Sequence, residues 1–313
     1  MIREYIGNTP IRICPVLTAI CKSAVYVKEE FHNPGMSSKD RVALYMIQEA
    51  LRTGQLKAGG RLVEASSGNT GLSITMLAKE MGFPTTVFIS ENCSEEKRNV
   101  LLYYGAELVV CANSNGPEDP QSTQYAAARF AAENEGCYFT NQYFNPVNVM
   151  AHFETTGPEI WTQTEGRISH FIAGIGTGGT ISGTGRYLKA QNPNVKVIGI
   201  EPLNSIFKDY LGNGKPASEN GLKPDSIEGI GRTFLPGAFD PAVVDQVFQV
   251  SAAESMDCAR WYKGEANALT GFSSAAVISA IRQFHDEMGL EPDSRVVALF
   301  PDHGGRYISK LYG

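Results

Sequence analysis

Residues 174–180, with the sequence GIGTGGT, combine four glycines and two threonines in a pattern that could hold a phosphate group. An apolar run precedes this stretch and a helical pattern follows it. Glycine allows backbone conformations that are closed to other residues, and the first N–H groups of a helix have no partner within it. The pattern therefore predicts a strand, a tight turn and a helix N-terminus that binds an anion.

The same stretch fits a second pattern. Gly174, Gly176 and Gly179 match the dinucleotide fingerprint G-x-G-x-x-G, and Glu201 follows near the distance at which a ribose-binding acid is expected. A nicotinamide dinucleotide and a smaller phosphorylated ligand explain this turn equally well.

A second turn of this kind lies at residues 66–71, with the sequence SSGNTG. It follows a predicted strand at 61–65 and precedes another helical pattern. Its hydroxyl, amide and backbone N–H groups suit a carboxylate, which needs several donors. A serine-rich turn that only caps the helix explains the same residues as well.

A lysine stands at the predicted start of a helix. Residues 33–41 (NPGMSSKDR) begin as a turn, and from Lys39 onward apolar residues recur at helical spacing. Solvated lysines are much commoner than reactive ones. However, the positive end of a helix dipole repels an ammonium ion and favours the neutral amine, which is the nucleophilic form. Lys39 is therefore a candidate nucleophile.

The elements that position these residues alternate between strand and helix, as parallel sheets require. The strands are predicted at 24–28, 61–65, 85–89, 107–110, 138–140, 170–173, 196–200, 243–250 and 295–300. Residues 202–227 are rich in glycine, proline, asparagine and lysine and are predicted to form a surface loop.

Composition limits the possible classes of protein. A chain of 313 residues most simply forms two lobes, and 42 % apolar residues with 19 % charged are typical of a globular protein. The net charge of −6 argues against a nucleic-acid surface. No apolar run suits a membrane span or a signal peptide, so a cytoplasmic protein is expected. The six cysteines lack metal-ligand spacing, and no metal site is predicted.

Taken together, the motifs resemble the pyridoxal-phosphate-dependent β-family (fold type II), and within it cysteine synthase and cystathionine β-synthase most of all. The resemblance covers nearly the whole chain, in the family's order, and is carried by residues 33–41, 66–71, 141–142, 176–180, 228–231 and 273. The resemblance argues against a dinucleotide as the ligand of the glycine turn, because that interpretation gives no role to Lys39 and residues 66–71.

The resemblance implies a role for each matching residue. Lys39 would form the Schiff base with pyridoxal 5'-phosphate and move the substrate's α-proton, Asn69 would bond the ring hydroxyl, and Ser273 the pyridine nitrogen. The cofactor phosphate is assigned to Gly176, Thr177, Gly178, Gly179 and Thr180. The substrate's α-carboxylate is assigned to Ser66, Ser67, Gly68, Thr70 and Gln142.

The implied fold is α/β with two lobes, each a mostly parallel twisted sheet flanked by helices, and with the cofactor in the cleft between them. Residues 1–38 and 146–313 are expected to form the larger lobe, which binds the cofactor phosphate. Residues 39–145 are expected to form a smaller, mobile lobe that binds the substrate carboxylate. A homodimer is expected, because family members are usually dimers.

The implied reaction is β-replacement on an O-activated L-serine, either O-acetylserine or O-phosphoserine, through an aminoacrylate, giving cysteine or another β-substituted alanine. A serine at the pyridine nitrogen cannot keep a proton there, which weakens the ring as an electron sink and favours prompt loss of a β-leaving group. Alternatives are a 2,3-diaminopropionate-type synthase with an amine nucleophile, a serine or threonine dehydratase, a nicotinamide-dependent oxidoreductase and a catalytically silent partner-binding relative.

Two departures from the family's usual pattern concern the site. Residues 36–38 (Met-Ser-Ser) replace the common Gly-Ser-Val before the lysine. Arg232 stands at the family's substrate mouth, where a small or aromatic residue is usual, and an arginine offers a planar fork for phosphate or carboxylate. We therefore predict that Arg232 binds an anionic donor or nucleophile; the alternative is a surface arginine that is paired with Asp240 or solvated.

Overall fold

The computed structural model describes residues 1–112, 117–215 and 225–313. These residues form two compact units. The first unit comprises Met1–Ile6 and Asn33–Asn148, and the second comprises Gly7–His32 and Val149–Gly313. Within the three described stretches, no helix combines the length and the apolar character needed to cross a membrane.

Strands and helices alternate through most of the described chain. The strands are β1 (Ile11–Ile13), β2 (Ala24–Glu29), β3 (Arg61–Glu64), β4 (Thr85–Ser90), β5 (Glu107–Cys111), β6 (Cys137–Phe139), β7 (His170–Gly174), β8 (Lys196–Pro202), β9 (Gln246–Val250) and β10 (Arg295–Phe300). The α-helices are α1 (Pro15–Cys21), α2 (Lys39–Thr53), α3 (Asn69–Met81), α4 (Glu95–Tyr103), α5 (Thr123–Glu133), α6 (Val147–Ala151), α7 (Gly157–Gln163), α8 (Gly179–Gln191), α9 (Phe207–Asn213), α10 (Ala252–Ala266) and α11 (Phe272–Phe284).

The first unit contains a four-stranded parallel sheet in the order β5-β4-β3-β6. Successive residues of β3 face opposite sides: Leu62 packs with apolar residues of α2 and α3, and Val63 packs with Phe88 and Ala127. Because both faces are buried, the two central residues of β3, Leu62 and Val63, are apolar, and its last residue, Glu64, is buried as well.

The second unit contains a six-stranded sheet in the order β1-β2-β10-β7-β8-β9. Only the pairing of β1 with β2 is antiparallel among the described pairs. In β7, Phe171 and Ala173 face one apolar cluster and Ile172 faces another. Buried faces on both sides of a parallel sheet explain why these strands are continuous apolar runs in the sequence.

Parallel strands bring their carboxyl ends to one edge of a sheet, where ligands usually bind in such folds. Residues 66–68 follow β3 and residues 140–142 follow β6, and these two strands are neighbours. In the second unit, the turn after β7 lies at the same edge as the segments that follow β8 and β10. The α/β architecture predicted from the sequence is confirmed.

The predicted loop at 202–227 is wrong in its first half, which contains α9. Glu201, fully buried, accepts hydrogen bonds from the backbone N–H groups of Phe207 and Lys208, each at 2.9 Å. A carboxylate at this position stabilises the first turn of a helix, so α9 forms despite its glycine and asparagine. Residues 216–224 of that prediction lie outside the described residues.

Candidate active site

The glycine turn, residues 174–180, leads from β7 into α8. Gly178 is the N-cap of α8 and has φ +90°, in the left-handed region that favours glycine. Because Gly178 has no side chain, the N-cap itself offers no side-chain acceptor to the N–H groups of the first helical turn, of which Gly179 N–H donates at 3.4 Å to Thr177 Oγ1. These groups can therefore donate to an anion.

The glycine turn is packed too closely for side chains. A Cβ built on Gly176 would overlap the backbone oxygen of Gly229, and a Cβ built on Gly178 would lie 2.6 Å from Cα of Phe239. The turn is also hydrogen-bonded to its neighbours, since Ile175 N–H donates to Ile200 at 2.8 Å and Gly231 N–H donates to the Ile175 carbonyl at 2.9 Å. The segment 228–231, predicted as part of the site, thus lies directly against the turn.

Two threonines supply hydroxyl groups within the turn. Thr177 is buried, and its Oγ1 accepts a 3.4 Å hydrogen bond from Gly179 N–H. The Oγ1 of Thr180 lies 3.1 Å from Nε2 of His152, whose Nδ1 lies 2.9 Å from Oγ1 of Thr156. His152 is fully buried in a π-helix, His152–Thr156, and fixes the position of the Thr180 hydroxyl. Sequence reasoning missed His152, because no spacing pattern links it to residue 180.

Ser273 lies beside the same segment. It is buried in the first turn of α11, and its Oγ is 3.9 Å from the position that a Cβ on Gly229 would occupy. Gly229 therefore stands between Gly176 and Ser273, within the second unit. His303 caps the short 3-10 helix Gly304–Tyr307: its Nδ1 accepts a 3.0 Å hydrogen bond from the Gly305 N–H.

Arg232 is half-buried next to the glycine turn. Its Nη1 donates to the Gly231 carbonyl, and its Nη2 is 3.5 Å from the position that a Cβ on Gly176 would occupy. Its backbone N–H donates to Ser205 Oγ at 3.0 Å. Asp240, the alternative partner, forms a 2.7 Å ion pair with Arg186 instead.

In the first unit, Lys39 is the first residue of α2, as predicted, and it is half-buried. Its Nζ lies 3.5 Å from Ser38 Oγ. The next residue, Asp40, is fully buried and accepts 2.5 Å hydrogen bonds from the Gly35 N–H and the Ser73 hydroxyl. Asp40 thus ties the loop before the lysine to α3, so that the backbone at Lys39 is fixed from both sides.

The donor turn, residues 66–71, is half-buried up to Asn69 and opens α3. Ser66 Oγ accepts a 3.2 Å hydrogen bond from the Gly68 N–H. The structure brings together Thr70 and Gln142, two of the residues assigned to the carboxylate from the sequence: the Thr70 hydroxyl donates to Gln142 Oε1 at 2.7 Å. Hence Thr70 and Gln142, 72 residues apart in sequence, meet at one edge of the sheet.

Glu64, which sequence reasoning missed, lies behind this turn. Burial raises the pKa of Glu64 from its ordinary value of 4.5 to about 7, although hydrogen bonds from Thr140, Ala65 and Gln142 act in the opposite direction. The signal in the sequence is a single acid at the end of an apolar strand, immediately before a serine-rich turn.

This raised pKa predicts a pH-dependent stability. Because the protonated acid is favoured in the folded state, its contribution is complete below pH 4.5 and is lost as the pH rises to about 7. The Glu64→Gln variant cannot ionise at this position. Between pH 5 and pH 8 the free energy of unfolding of the wild type should therefore fall by up to about 3 kcal/mol relative to that of the variant. Urea unfolding of both proteins across this range measures the difference; parallel curves would contradict it.

These features are typical of an α/β enzyme with a phosphorylated cofactor: a glycine turn opens α8, a lysine begins α2, and a turn rich in hydrogen-bond donors opens α3. Residues 2–302 match the family model described as "Pyridoxal-phosphate dependent enzyme". The chain belongs to this family, and its cofactor is pyridoxal 5'-phosphate, as predicted.

Curated relatives and solved structures agree with this assignment. The chain is 37 % identical over 309 residues to cysteine synthase of Staphylococcus aureus (strain N315), covering 98 % of this chain and 95 % of the relative. It is 36 % identical over 312 residues to cysteine synthase B of Escherichia coli (strain K12), covering 98 % and 94 %. The crystal structure of O-ureido-L-serine synthase superposes with a TM-score of 0.87 at 32 % identity, covering 99 % of this chain and 93 % of that one.

The family decides between the two ligands that the glycine turn allowed. Glu201, the acid that a dinucleotide would need for its ribose, is instead hydrogen-bonded to α9 and, at 2.9 Å, to Gln249 Nε2. The protein is thus a pyridoxal-phosphate-dependent enzyme of the synthase or lyase type, and the nicotinamide alternative is wrong.

Proposed function

We propose that this enzyme carries out β-replacement on an O-activated L-serine and produces a β-substituted alanine. The observation that carries the proposal is the likeness to two cysteine synthases over 98 % of the chain. The structural neighbour is likewise a synthase named for an O-substituted serine product.

The second unit would hold the cofactor through its phosphate. The N–H groups at the start of α8 and the hydroxyls of Thr177 and Thr180 are the donors for this group, and glycines leave room for it. The Ser273 hydroxyl would face the pyridine nitrogen as a neutral partner. Bound pyridoxal phosphate supplies the electron sink that makes the α-proton of an amino acid removable.

The first unit would act on the amino acid. Lys39 would hold the cofactor through its amine and afterwards take the α-proton at Nζ, which its place at a helix N-terminus favours by destabilising the ammonium form. Ser66, Ser67, Gly68, Thr70 and Gln142 would bind the α-carboxylate, and Asn69 would bond the ring hydroxyl. Binding of the substrate's α-carboxylate would orient the α-carbon so that its proton can be transferred to Lys39 Nζ.

Purified enzyme loaded with pyridoxal phosphate tests the proposal. O-acetylserine and O-phosphoserine are each supplied with sulfide or with an amine, and the products are identified by mass spectrometry. A β-substituted alanine supports β-replacement. Pyruvate or 2-oxobutyrate from unactivated serine or threonine, without any replacement product, would instead identify a dehydratase.

Arg232 favours an anionic donor or an acidic nucleophile, and with it the alternative of a 2,3-diaminopropionate-type product. Its guanidinium lies beside Gly176 and Gly231, while Asp240 is paired with Arg186. A guanidinium at this place can donate two parallel hydrogen bonds to a phosphate or carboxylate.

We expect Arg232→Ala to lower kcat/KM for O-phosphoserine by about 10- to 100-fold, because charge-assisted hydrogen bonds are lost. The effect on O-acetylserine, whose leaving group is uncharged, should stay within about threefold. Steady-state kinetics with both donors measures this difference. Arg186→Ala is the matched control, since it removes an exposed arginine of the same unit. Equal small effects on both donors, with no change for acidic nucleophiles, would contradict a role for Arg232.

We further propose a cytoplasmic homodimer whose small-molecule partners are amino-acid substrates. The family supports amino-acid substrates, and light scattering of the purified holoenzyme would give its oligomeric state.

A further inference from the structure

A buried carboxyl group lies behind the donor turn. Glu64 ends β3, and only 1 % of its surface is exposed. Three donors are directed at its two oxygens: the Thr140 hydroxyl at Oε2, Gln142 Nε2 at Oε1 (3.3 Å) and the backbone N–H of Ala65. Such a surrounding suits a group that only accepts hydrogen bonds.

The carboxylate fixes which way the Gln142 amide points. Above a pH of about 7 the acid is ionised and has no hydrogen to donate, so the amide must turn its NH₂ toward Glu64 and its oxygen away. On the other side, the Thr70 hydroxyl donates to that oxygen at 2.7 Å. A flipped amide would place its oxygen against an oxygen of the ionised Glu64 and would lose that hydrogen bond, while the Thr70 hydroxyl could only accept from it. Glu64, Gln142 and Thr70 therefore form one directional chain.

The backbone of Gln142 is fixed as well. Asn148 Nδ2 donates to the Gln142 carbonyl at 2.8 Å. Gln142, Thr70, Thr140 and Glu64 are each less than 10 % exposed, so solvent does not replace these partners. The amide of Gln142 is thus held at both ends before any ligand arrives.

We infer that Glu64 is a positioning residue for the amino-acid substrate. It takes one N–H of the Gln142 amide and thereby leaves the second N–H for the substrate's α-carboxylate. Thr70 serves that carboxylate with its backbone N–H in the first turn of α3, because its hydroxyl hydrogen is bonded to Gln142. The inference rests on the proposed function, since it takes the donor turn as the carboxylate site.

Two variants of Glu64 separate length from charge. Glu64→Asp keeps the charge but shortens the side chain, so it cannot keep the 3.3 Å hydrogen bond to Gln142. Glu64→Gln keeps the length and one acceptor oxygen for Gln142. Its NH₂ can face Thr140, whose hydroxyl can accept it and turn toward the Val63 carbonyl, 3.4 Å away. The aspartate variant should therefore no longer orient the Gln142 amide, whereas the glutamine variant should orient it as the wild type does.

The measurement is the dissociation constant of L-serine, obtained by titrating the holoenzyme and following the absorbance of the holoenzyme. The dissociation constant of ethanolamine, which lacks the carboxylate, is measured in the same way for comparison. We expect Glu64→Asp to raise the constant for L-serine about tenfold, since a hydrogen bond to a charged group is lost, and to leave that for ethanolamine unchanged. Glu64→Gln should stay within about threefold of the wild type for both ligands.

A double-mutant cycle shows whether Glu64 acts through Gln142. In the Gln142→Ala background, Glu64→Asp should weaken L-serine binding no further, because the group that it orients is gone. Additive losses, equal losses for both ligands, or a Glu64→Asp enzyme that binds L-serine like the wild type would overturn the inference while the proposed function stands. A wild-type holoenzyme that responds to no amino acid would overturn both.

Discussion

Replacement of Lys39 by alanine is expected to abolish catalysis and to remove the yellow colour of the purified enzyme. The change deletes the amine that would both hold the cofactor and accept the α-proton, and general acid–base groups alone typically contribute about 10² to 10⁴-fold to the rate. We therefore expect kcat to fall by at least about 10³-fold. Kinetics with O-acetylserine and sulfide, together with the visible absorbance spectrum, measure both effects.

The control is Lys57→Ala, which removes an exposed lysine of the same unit. It should leave both colour and turnover unchanged. The stability of Lys39→Ala should remain close to that of the wild type, because Asp40 holds the loop before the lysine through the Gly35 N–H and the Ser73 hydroxyl. A colourless wild-type protein after incubation with pyridoxal phosphate, or a Lys39→Ala variant with normal turnover, would contradict the role of Lys39.

Gly176→Ala is expected to weaken the binding of pyridoxal phosphate by about 10- to 100-fold, a loss of about 1.4 to 3 kcal/mol. The new Cβ would overlap the backbone oxygen of Gly229, and backbone atoms cannot give way as a flexible side chain can. The turn must therefore shift away from segment 228–231, and its N–H groups shift with it. Titration of the apoenzyme with the cofactor, followed by fluorescence, measures the affinity independently of activity.

Gly264→Ala is the matched control for this substitution. Gly264 lies in α10, and apart from its chain neighbours and the backbone of that helix, no heavy atom of the described residues lies within 4 Å of a Cβ built there. Alanine is a better helix former than glycine, so this variant should be more stable by about 0.5 to 1 kcal/mol and bind the cofactor normally. Equal cofactor affinity in the two variants would show that close packing at Gly176 is not needed for binding.

Most of the fold could be predicted from sequence because parallel strands with two buried faces leave continuous apolar runs. β10 begins and ends as predicted, at 295 and 300. The helix α9 could not be predicted, because its stability depends on a buried carboxylate, Glu201, that precedes it in the chain. Composition reports local preference, whereas this helix is stabilised by a tertiary interaction.

The local structure around the candidate site was predictable where its residues lie in one short stretch, as in the glycine turn, or at a recognisable helix start, as for Lys39. It was not predictable where contacts join distant segments. Thr70 meets Gln142 only because β3 and β6 are neighbours, and Glu64 and His152 contact predicted site residues through such pairings. Their chemistry depends on neighbours that no local pattern specifies. The assigned roles of the individual site residues stay predictions until the variants are measured.

Met36, three residues before Lys39, has φ +58° and is exposed. A methionine in the left-handed region costs about 1 kcal/mol, a strain that glycine at this position would not carry. In return, methionine has fewer accessible backbone conformations than glycine, so the unfolded chain has less conformational entropy to lose when this loop folds. The enzyme thus carries backbone strain in the loop that leads to Lys39, and the lower entropy of its unfolded chain offsets part of the cost.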